Sequence, residues 1–317
     1  MSRLEVIELR KSYGSTCVVD GVSFTVESGE VFGLLGPNGA GKSTTMSMIA
    51  GLLAADSGEV RFGGRPIQTL TRLDRHFLGL APQELAVYPE LSARENLVFF
   101  GKLYGLRGLT LKRRSDEVLE QIGLTEQADR ESGHFSGGMK RRLNFGIAVI
   151  HQPRLLILDE PTVGVDPQSR SHLLDCVRRE ASRGMAVIYA SHYMEEVSAI
   201  CDRVAIMDHG CRIAMGRLDE LLGQLQHDLA LRVRRLSSAA RERLRSWIIP
   251  DGSPSDDDQR LVLHRVGGDA QTDGLICELR QVLEILDREK SELVSVETSQ
   301  SSLERLFLEL TGHSLRD

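Results

Sequence analysis

Short apolar runs alternate with amphipathic segments over the first 220 residues, which is the pattern of an α/β protein. Residues 31–35 and 155–158 are continuous apolar runs, as expected for buried parallel strands. Residues 22–26 alternate apolar and polar side chains, which predicts a half-buried antiparallel strand. Between residues 85 and 150 the apolar spacing is mostly helical. We therefore expect an α/β core with an antiparallel β subdomain and an inserted helical subdomain.

The pattern changes near residue 225, where the sequence motifs described below end. The remaining segment alternates three predicted strands with helical segments. It therefore predicts a small α+β domain. We expect two domains, residues 1–225 and residues 226–317.

Composition excludes several classes of protein. Hydrophobic residues make up 41% and charged residues 26% of the 317 residues, as in ordinary globular proteins. The net charge of −6 provides no electrostatic basis for a nucleic-acid partner. No run approaches the roughly 18 apolar residues of a membrane helix, and the start lacks a signal-peptide core, so we expect a cytoplasmic chain. The five scattered cysteines are interpreted as reduced packing residues.

A glycine-rich loop lies between the apolar run at 31–35 and a predicted helix. It matches the phosphate-loop pattern G-x-x-x-x-G-K-[ST] with Gly36, Pro37, Asn38, Gly39, Ala40, Gly41, Lys42, Ser43 and Thr44. The glycines allow successive N–H groups to point at one anion, and the helix N-terminus adds partial positive charge. Lys42 would neutralise the outer phosphates and the Ser43 hydroxyl would bind Mg²⁺. The loop predicts a nucleoside triphosphate site.

Two adjacent carboxylates follow the second buried run. Asp159 ends that run, where ligands bind in open α/β sheets, and could hold Mg²⁺. Neighbouring side chains on an extended strand diverge, so Glu160 would face the γ-phosphate and polarise an attacking water.

Together with these motifs, the chain resembles the ATP-binding cassette (ABC) transporter ATPases over roughly residues 4–220. The other motifs of that family occur in the expected order: Tyr13 at the adenine-stacking aromatic, Gln83 at the Q-loop, Ser136, Gly137 and Gly138 at the centre of the LSGGQ signature, Asp166 at the D-loop, and His192 at the switch histidine.

The resemblance implies an ATPase that uses ATP and Mg²⁺. Ser136, Gly137 and Gly138, with Asp166, would close over ATP held by the phosphate loop of a second copy, head to tail. Gln83 would contact Mg²⁺ or the attacking water, and His192 the γ-phosphate. The segment at about 85–105 would dock a cytoplasmic helix of a separate transmembrane permease. The subunit would then be peripheral on the inner face of the cell membrane.

Two signature positions depart from the family pattern, since Phe135 and Met139 replace the usual Leu and Gln. The phosphate-facing centre is intact. The Met variant and the tail at 302–311 resemble the bacterial exporters of drugs, antibiotics, lipids or polysaccharides. The basic triplet at 140–142 is interpreted as a solvated helix face.

Three alternatives stay open at this point. A soluble ABC ATPase acting on ribosomes or chromosomes would usually carry two cassettes or long coiled-coil insertions, which this sequence lacks. An uptake ATPase differs only in partner and direction. A non-hydrolysing cassette is disfavoured by the intact Lys42, Asp159, Glu160 and His192.

Overall fold

A computed structural model describes residues 3–71, 74–223, 225, 228–248, 258–264, 273–298 and 302–312. The strands are β1 (Leu4–Tyr13), β2 (Thr16–Val26), β3 (Val31–Leu35), β4 (Ser57–Phe62), β5 (Arg65–Pro66), β6 (Leu78–Ala81), β7 (Leu155–Asp159), β8 (Ala186–Ser191), β9 (Arg203–Asp208), β10 (Cys211–Arg217), β11 (Asp228–Arg234), β12 (Asp258–His264) and β13 (Glu292–Thr298). The α-helices are α1 (Lys42–Ile49), α2 (Ala93–Leu103), α3 (Gly108–Gln121), α4 (Gly137–Val149), α5 (Pro167–Ser182), α6 (Met194–Ile200), α7 (Leu218–Gly223), α8 (Ser238–Arg243), α9 (Asp273–Arg288) and α10 (Leu303–Thr311). The chain divides into two compact units, residues 1–218 with 307–317, and residues 219–306.

The first unit is built on a six-stranded sheet in the order β10-β9-β3-β8-β7-β6. Pairing is parallel throughout, except that β10 returns antiparallel to β9. All side chains of β3 and β8 are buried, which explains their continuous apolar sequences. The carboxyl ends of the parallel strands lie along one edge of the sheet, where ligands bind in such folds. The expected P-loop α/β core is confirmed.

An antiparallel sheet, in the order β2-β1-β4-β5, shares one hydrophobic core with α1 and the six-stranded sheet. Phe24 of β2 stacks on Phe32 of β3 with ring centroids 4.8 Å apart. β1 continues to Tyr13, which pairs with Thr16. The tight connection needs a positive φ, and Gly14 supplies it at 60°.

The helical subdomain contains α2, α3 and α4. α2 begins with a capping box, in which the Ser92 hydroxyl accepts from the Glu95 N–H and the Glu95 carboxylate accepts from the Ser92 N–H. α3 begins at Gly108 and runs to Gln121. Arg114 is buried there because it donates to the carbonyls of Val149 and Ile150, at the end of α4.

The second unit contains an antiparallel sheet in the order β12-β11-β13. Its apolar core is formed by side chains from both strands and helices, which are Leu231, Val233, Leu244, Leu261, Leu263, Val282 and Leu286. This is an α+β arrangement. The predicted domain boundary between residues 225 and 226 adjoins residues outside the described ranges and stays a prediction.

Among the described residues, no helix has both the length and the apolar character required to cross a membrane.

One half-buried histidine is expected to make the stability of the fold depend on acid. His151 stacks on Tyr104 with ring centroids 3.6 Å apart, and its Nε2 donates to the Leu78 carbonyl, 3.0 Å away. Its Nδ1 is buried and has no hydrogen-bond partner among the described residues. Burial lowers the pKa of His151 from 6.5 to about 4, and His76 and Arg114 act in the same direction. Protonation at Nδ1 would therefore leave an unpaired buried charge.

We expect the free energy of unfolding to fall as pH drops from 6.5 towards 4, because only the unfolded chain binds a proton at residue 151 in that range. The loss between pH 7 and pH 5 should be about 2 kcal/mol in urea titrations. His151→Phe keeps a ring against Tyr104 and should remove this part of the acid dependence. His134→Phe replaces an exposed histidine and should retain it. Equal acid slopes in wild type and His151→Phe would contradict the assignment.

Candidate functional site

The phosphate loop connects β3 to α1 and surrounds one buried ammonium group. Lys42 Nζ donates to the carbonyls of Gly36 and Pro37, at 2.8 and 3.0 Å, and lies 3.9 Å from Glu160 Oε1. Burial lowers the pKa of Lys42, and the carboxylates of Glu160 and Asp159 oppose that shift. The loop thus holds a cation beside two carboxylates at the carboxyl edge of the sheet.

Two glycines of this loop are required by close contacts. A Cβ on Gly36 would overlap the Met207 carbonyl oxygen. At Gly41 it would lie 2.5 Å from the Val18 carbonyl oxygen, and Gly41 also has a φ of 94°. Both sites therefore exclude side chains. The loop therefore packs closely against neighbouring backbone.

Asp159, at the end of β7, faces the first turn of α1. Its carboxylate accepts a hydrogen bond from the Ser43 side chain, and burial raises the pKa of Asp159. Its Oδ1 is buried and has no hydrogen-bond partner among the described residues. An unsatisfied buried carboxylate oxygen beside a hydroxyl is the kind of oxygen pair that binds a hard cation.

Glu160 is the point at which the predicted catalytic residues meet. Its Oε1 accepts from His192 Nδ1 at 3.1 Å, and its Oε2 accepts from Gln83 Nε2 at 3.4 Å, in addition to its proximity to Lys42. The side chain is buried, and the backbone has a φ of 46°, which residues with side chains rarely adopt. Such a conformation costs about 1 to 3 kcal/mol and commonly occurs at functional sites. Three residues that lie far apart in sequence, Lys42, Gln83 and His192, thus converge on one carboxylate.

The signature residues lie in a different part of the unit. Ser136 caps α4 by accepting from the Met139 N–H at 3.2 Å. A Cβ on Gly138 would lie 2.5 Å from Ser169 Oγ and 2.9 Å from Asp166 Oδ2, so this glycine permits contact with the start of α5. Asp166 caps that helix through the Ser169 N–H at 2.9 Å. The signature and Asp166 therefore form one second cluster.

Within the described residues, no hydrogen bond or ion pair joins residues 136–138 to residues 36–44. Tyr13 is likewise apart from the carboxylates: its ring is 54% exposed, with the Lys11 ammonium 5.8 Å from the ring centroid. The structure thus brings together the phosphate loop, Gln83, Asp159, Glu160 and His192. It leaves the signature cluster and Tyr13 outside that group.

The basic triplet was misinterpreted as a fully solvated helix face. Arg141 and Arg142 are half-buried, and burial lowers the pKa of each. Arg141 donates to the Gln83 carbonyl at 2.5 Å, and Arg142 donates to the Ile122 carbonyl at 2.8 Å. Arg141 therefore holds the backbone of the glutamine that contacts Glu160. A charged triplet alone does not reveal this role, because carbonyl partners are not encoded by residue type.

This arrangement of sheet, phosphate loop and strand-end carboxylates defines a P-loop nucleoside triphosphatase. The family model described as "ABC transporter" matches residues 19–163. The linearmycin resistance ATP-binding protein LnrL of Bacillus subtilis (strain 168) is 44% identical over 99% of this chain and 100% of its own length. The Nod factor export ATP-binding protein I of Rhizobium sp. (strain N33) is 42% identical over 67% of this chain and 70% of its own length. A solved ATP-binding subunit of an ABC transporter has a TM-score of 0.64 at 31% identity, covering 70% of this chain and 92% of that one.

The chain belongs to the ABC transporter family. The predicted fold is confirmed, as are the ATP-binding role and the transport-coupled ATPase activity. ABC transporter ATPases work with a transmembrane permease and dimerise, which agrees with the expected partners at that level of detail.

Proposed function

We propose that this subunit binds Mg·ATP at the phosphate loop and hydrolyses it to drive export through a separate membrane permease. The observation that carries the proposal is the convergence of Lys42, Gln83 and His192 on Glu160. Glu160 would polarise the attacking water as a general base. His192 would contact the γ-phosphate and orient that water, and Gln83 would report the state of the site to the helical subdomain.

We assign the nucleotide to the loop residues 36–44, with Tyr13 stacking on adenine. Mg²⁺ would be held by Ser43 and Asp159, with Gln83 nearby, and would neutralise phosphate charge. The buried Oδ1 of Asp159 supports this assignment, because it has no hydrogen-bond partner among the described residues and is an oxygen that could coordinate a cation.

We further propose that two copies close head to tail around two ATP molecules. The separation of Ser136, Gly137, Gly138 and Asp166 from the phosphate loop supports this arrangement. Among the described residues, no hydrogen bond or ion pair joins the signature to the phosphate loop of its own chain, so the signature would be available to a nucleotide held by another copy. In this scheme residues 1–225 form the closing cassette, and residues 226–317 form an accessory domain.

A surface on α2 supports docking of the permease. Tyr88, Phe99 and Phe100 form a cluster with ring centroids 5.0 to 5.9 Å apart, and Tyr88 and Phe99 are 46% and 38% exposed. We call these three residues the aromatic surface. Leu97, in contrast, is fully buried and belongs to the core. Exposed adjacent aromatic rings are typical of protein contact sites.

The relatives support the direction of transport. LnrL is named for linearmycin resistance, and the rhizobial protein is named for Nod factor export. Both names are consistent with outward movement of a compound. The full-length match to LnrL makes an export role of this chain the preferred proposal over an uptake role.

The docking proposal is tested with a permease encoded by the neighbouring gene, reconstituted in vesicles with this subunit. Phe99→Ser should lower permease-stimulated ATP hydrolysis at least tenfold, because it removes buried apolar contact area. ATP hydrolysis by the isolated subunit should stay within twofold. Leu109→Ser, at an 86% exposed site on α3, is the control and should change neither rate. Full stimulation of the Phe99 variant would contradict docking at the aromatic surface.

A further inference from the structure

Glu196, on α6, is a buried carboxylate to which the predicted chemistry assigns no role. It is 2% exposed, and its Oε2 accepts hydrogen bonds from three hydroxyls: Thr162 at 2.7 Å, Tyr189 at 2.7 Å and Ser191 at 3.3 Å. Burial and the neighbouring Glu196 raise the pKa of Tyr189, so its hydroxyl stays a donor. Placing a carboxylate in such a position is costly unless it is fully paired. Three hydroxyls therefore pair with this one buried carboxylate.

The second oxygen of Glu196 faces a cation that belongs to α5. Arg170 Nε lies 3.2 Å from Glu196 Oε1, although the two atoms do not have hydrogen-bond geometry. The same guanidinium lies 5.0 Å from the Tyr193 ring centroid, and the Tyr193 ring lies 4.1 Å from the ring of His192. A continuous chain of contacts thus runs from Glu196 through Arg170 and Tyr193 to the switch histidine.

The turn that carries His192 is also fixed directly. Ser191 Oγ donates to Glu196 and accepts from the Tyr193 N–H at 2.9 Å. On the opposite side, Thr162 follows Glu160 by two residues, and its carbonyl accepts from the Val165 N–H at 3.1 Å. Glu196 is therefore bonded to both segments that present the Glu160–His192 pair.

The first turn of α5 connects this network to the D-loop. The Arg170 N–H donates to the Asp166 carbonyl at 2.9 Å, so Arg170 lies one helical turn after Asp166. A shift of Asp166 along the helix axis would move the guanidinium relative to Glu196 and Tyr193. The imperfect alignment of the Arg170–Glu196 pair leaves room for such a shift without breaking an aligned hydrogen bond.

We infer that Glu196 is a positioning residue for ATP hydrolysis, which holds His192 against Glu160 and links that pair to the start of α5 through Arg170. Glu196 does not touch nucleotide in this inference. It acts by fixing the turn at 191–193 and the segment at 160–165. The inference rests on the proposed roles of Glu160 and His192. It adds the residue that keeps these two side chains in position relative to each other. Small displacements of catalytic groups can lower rates by as much as about a hundredfold.

The test compares Glu196→Gln with a matched control. Gln keeps an oxygen for the three hydroxyls and removes the charge that faces Arg170, so the variant should fold. We expect kcat to fall about tenfold while the Kd for ATP stays within twofold. Glu180→Gln is the control, since Glu180 is also buried at 4% exposure and is held by Gln121 and Arg183, both at 2.8 Å. That variant should change the melting temperature but not kcat.

A double-mutant cycle separates positioning from general stability. In a His192→Ala background, Glu196→Gln should cause no further loss in the single-turnover rate, because the residue it positions is absent. Arg170→Gln should reproduce the kcat loss of Glu196→Gln, and the double variant should lose no more than either single variant. Additive losses, or a Glu196 variant with wild-type kcat, would overturn the inference.

Failure of the inference and failure of the proposed function give different results. If Glu160→Gln and His192→Ala strongly lower turnover and Glu196→Gln leaves it unchanged, only the positioning role is wrong. If Glu160→Gln or His192→Ala retains wild-type turnover, the proposed catalytic site is wrong and the positioning role is wrong with it.

Discussion

Replacing Glu160 with Gln should lower ATP turnover at least a hundredfold while ATP affinity stays within about threefold of wild type. The amide has the size of the carboxylate and can still contact His192, but it cannot accept a proton from water. Binding should persist because the phosphate loop and Lys42 are unchanged. The measurement is steady-state phosphate release, with ATP affinity from equilibrium titration.

The same variant tests closure of two copies. With ATP bound but not hydrolysed, Glu160→Gln should elute as a dimer in size-exclusion chromatography and as a monomer without nucleotide. Glu30→Gln is a matched control, because Glu30 is also buried and paired, with Arg203 at 3.0 Å, but lies at the start of β3. That control should hydrolyse ATP normally. A Glu160 variant that stays monomeric with saturating ATP would refute the closure proposal.

The core of the fold was predictable because two physical signals coincide there. Strands buried on both faces must be apolar throughout, so β3 and β7 are visible as continuous runs. Each apolar run then stops at residues of a recognisable type, which are the glycine-rich loop after Leu35 and the carboxylates Asp159 and Glu160. Sheet topology places the ends of neighbouring parallel strands side by side, so residues far apart in sequence become neighbours.

Elements whose buried faces are polar were not predictable in the same way. Arg114 is buried in α3 and Glu196 in α6, so a charged residue on the buried face weakens the apolar pattern of each helix. Each buried charge is explained by its partners, which are backbone carbonyls for Arg114 and hydroxyls for Glu196. Residue type alone cannot reveal those partners. The spacing of Met194, Val197 and Ile200 in α6 was the available signal.

The order of motifs along the sequence does not show how the residues around Glu160 and those of the signature cluster are arranged in the structure. Motif order identifies all the residues, but it does not show that Gly138 packs against Ser169 instead of against the phosphate loop. That separation is a property of the tertiary structure. This separation, seen within one chain, supports the expectation from the family that two copies close around ATP.

Replacing Lys42 with Ala should weaken ATP binding about 10-fold to 100-fold, because hydrogen bonds to charged groups contribute about 1.5 to 3 kcal/mol. The Lys42 ammonium donates to the carbonyls of Gly36 and Pro37 and lies 3.9 Å from Glu160 Oε1, and its burial keeps it within the loop. ATP should therefore raise the melting temperature of wild type clearly and of Lys42→Ala much less, since ligand stabilisation follows RT ln(1 + [L]/Kd).

The control for this experiment is Lys112→Ala, which removes an exposed lysine from α3 and should keep the full ATP-dependent shift. Melting temperatures without nucleotide separate binding from folding, because a general loss of stability would lower the value of Lys42→Ala with and without ATP alike. An equal ATP-dependent shift in wild type and Lys42→Ala would mean that the loop at 36–44 does not hold the triphosphate. The site would then have to be sought elsewhere, and the meeting of Gln83 and His192 at Glu160 would need another explanation.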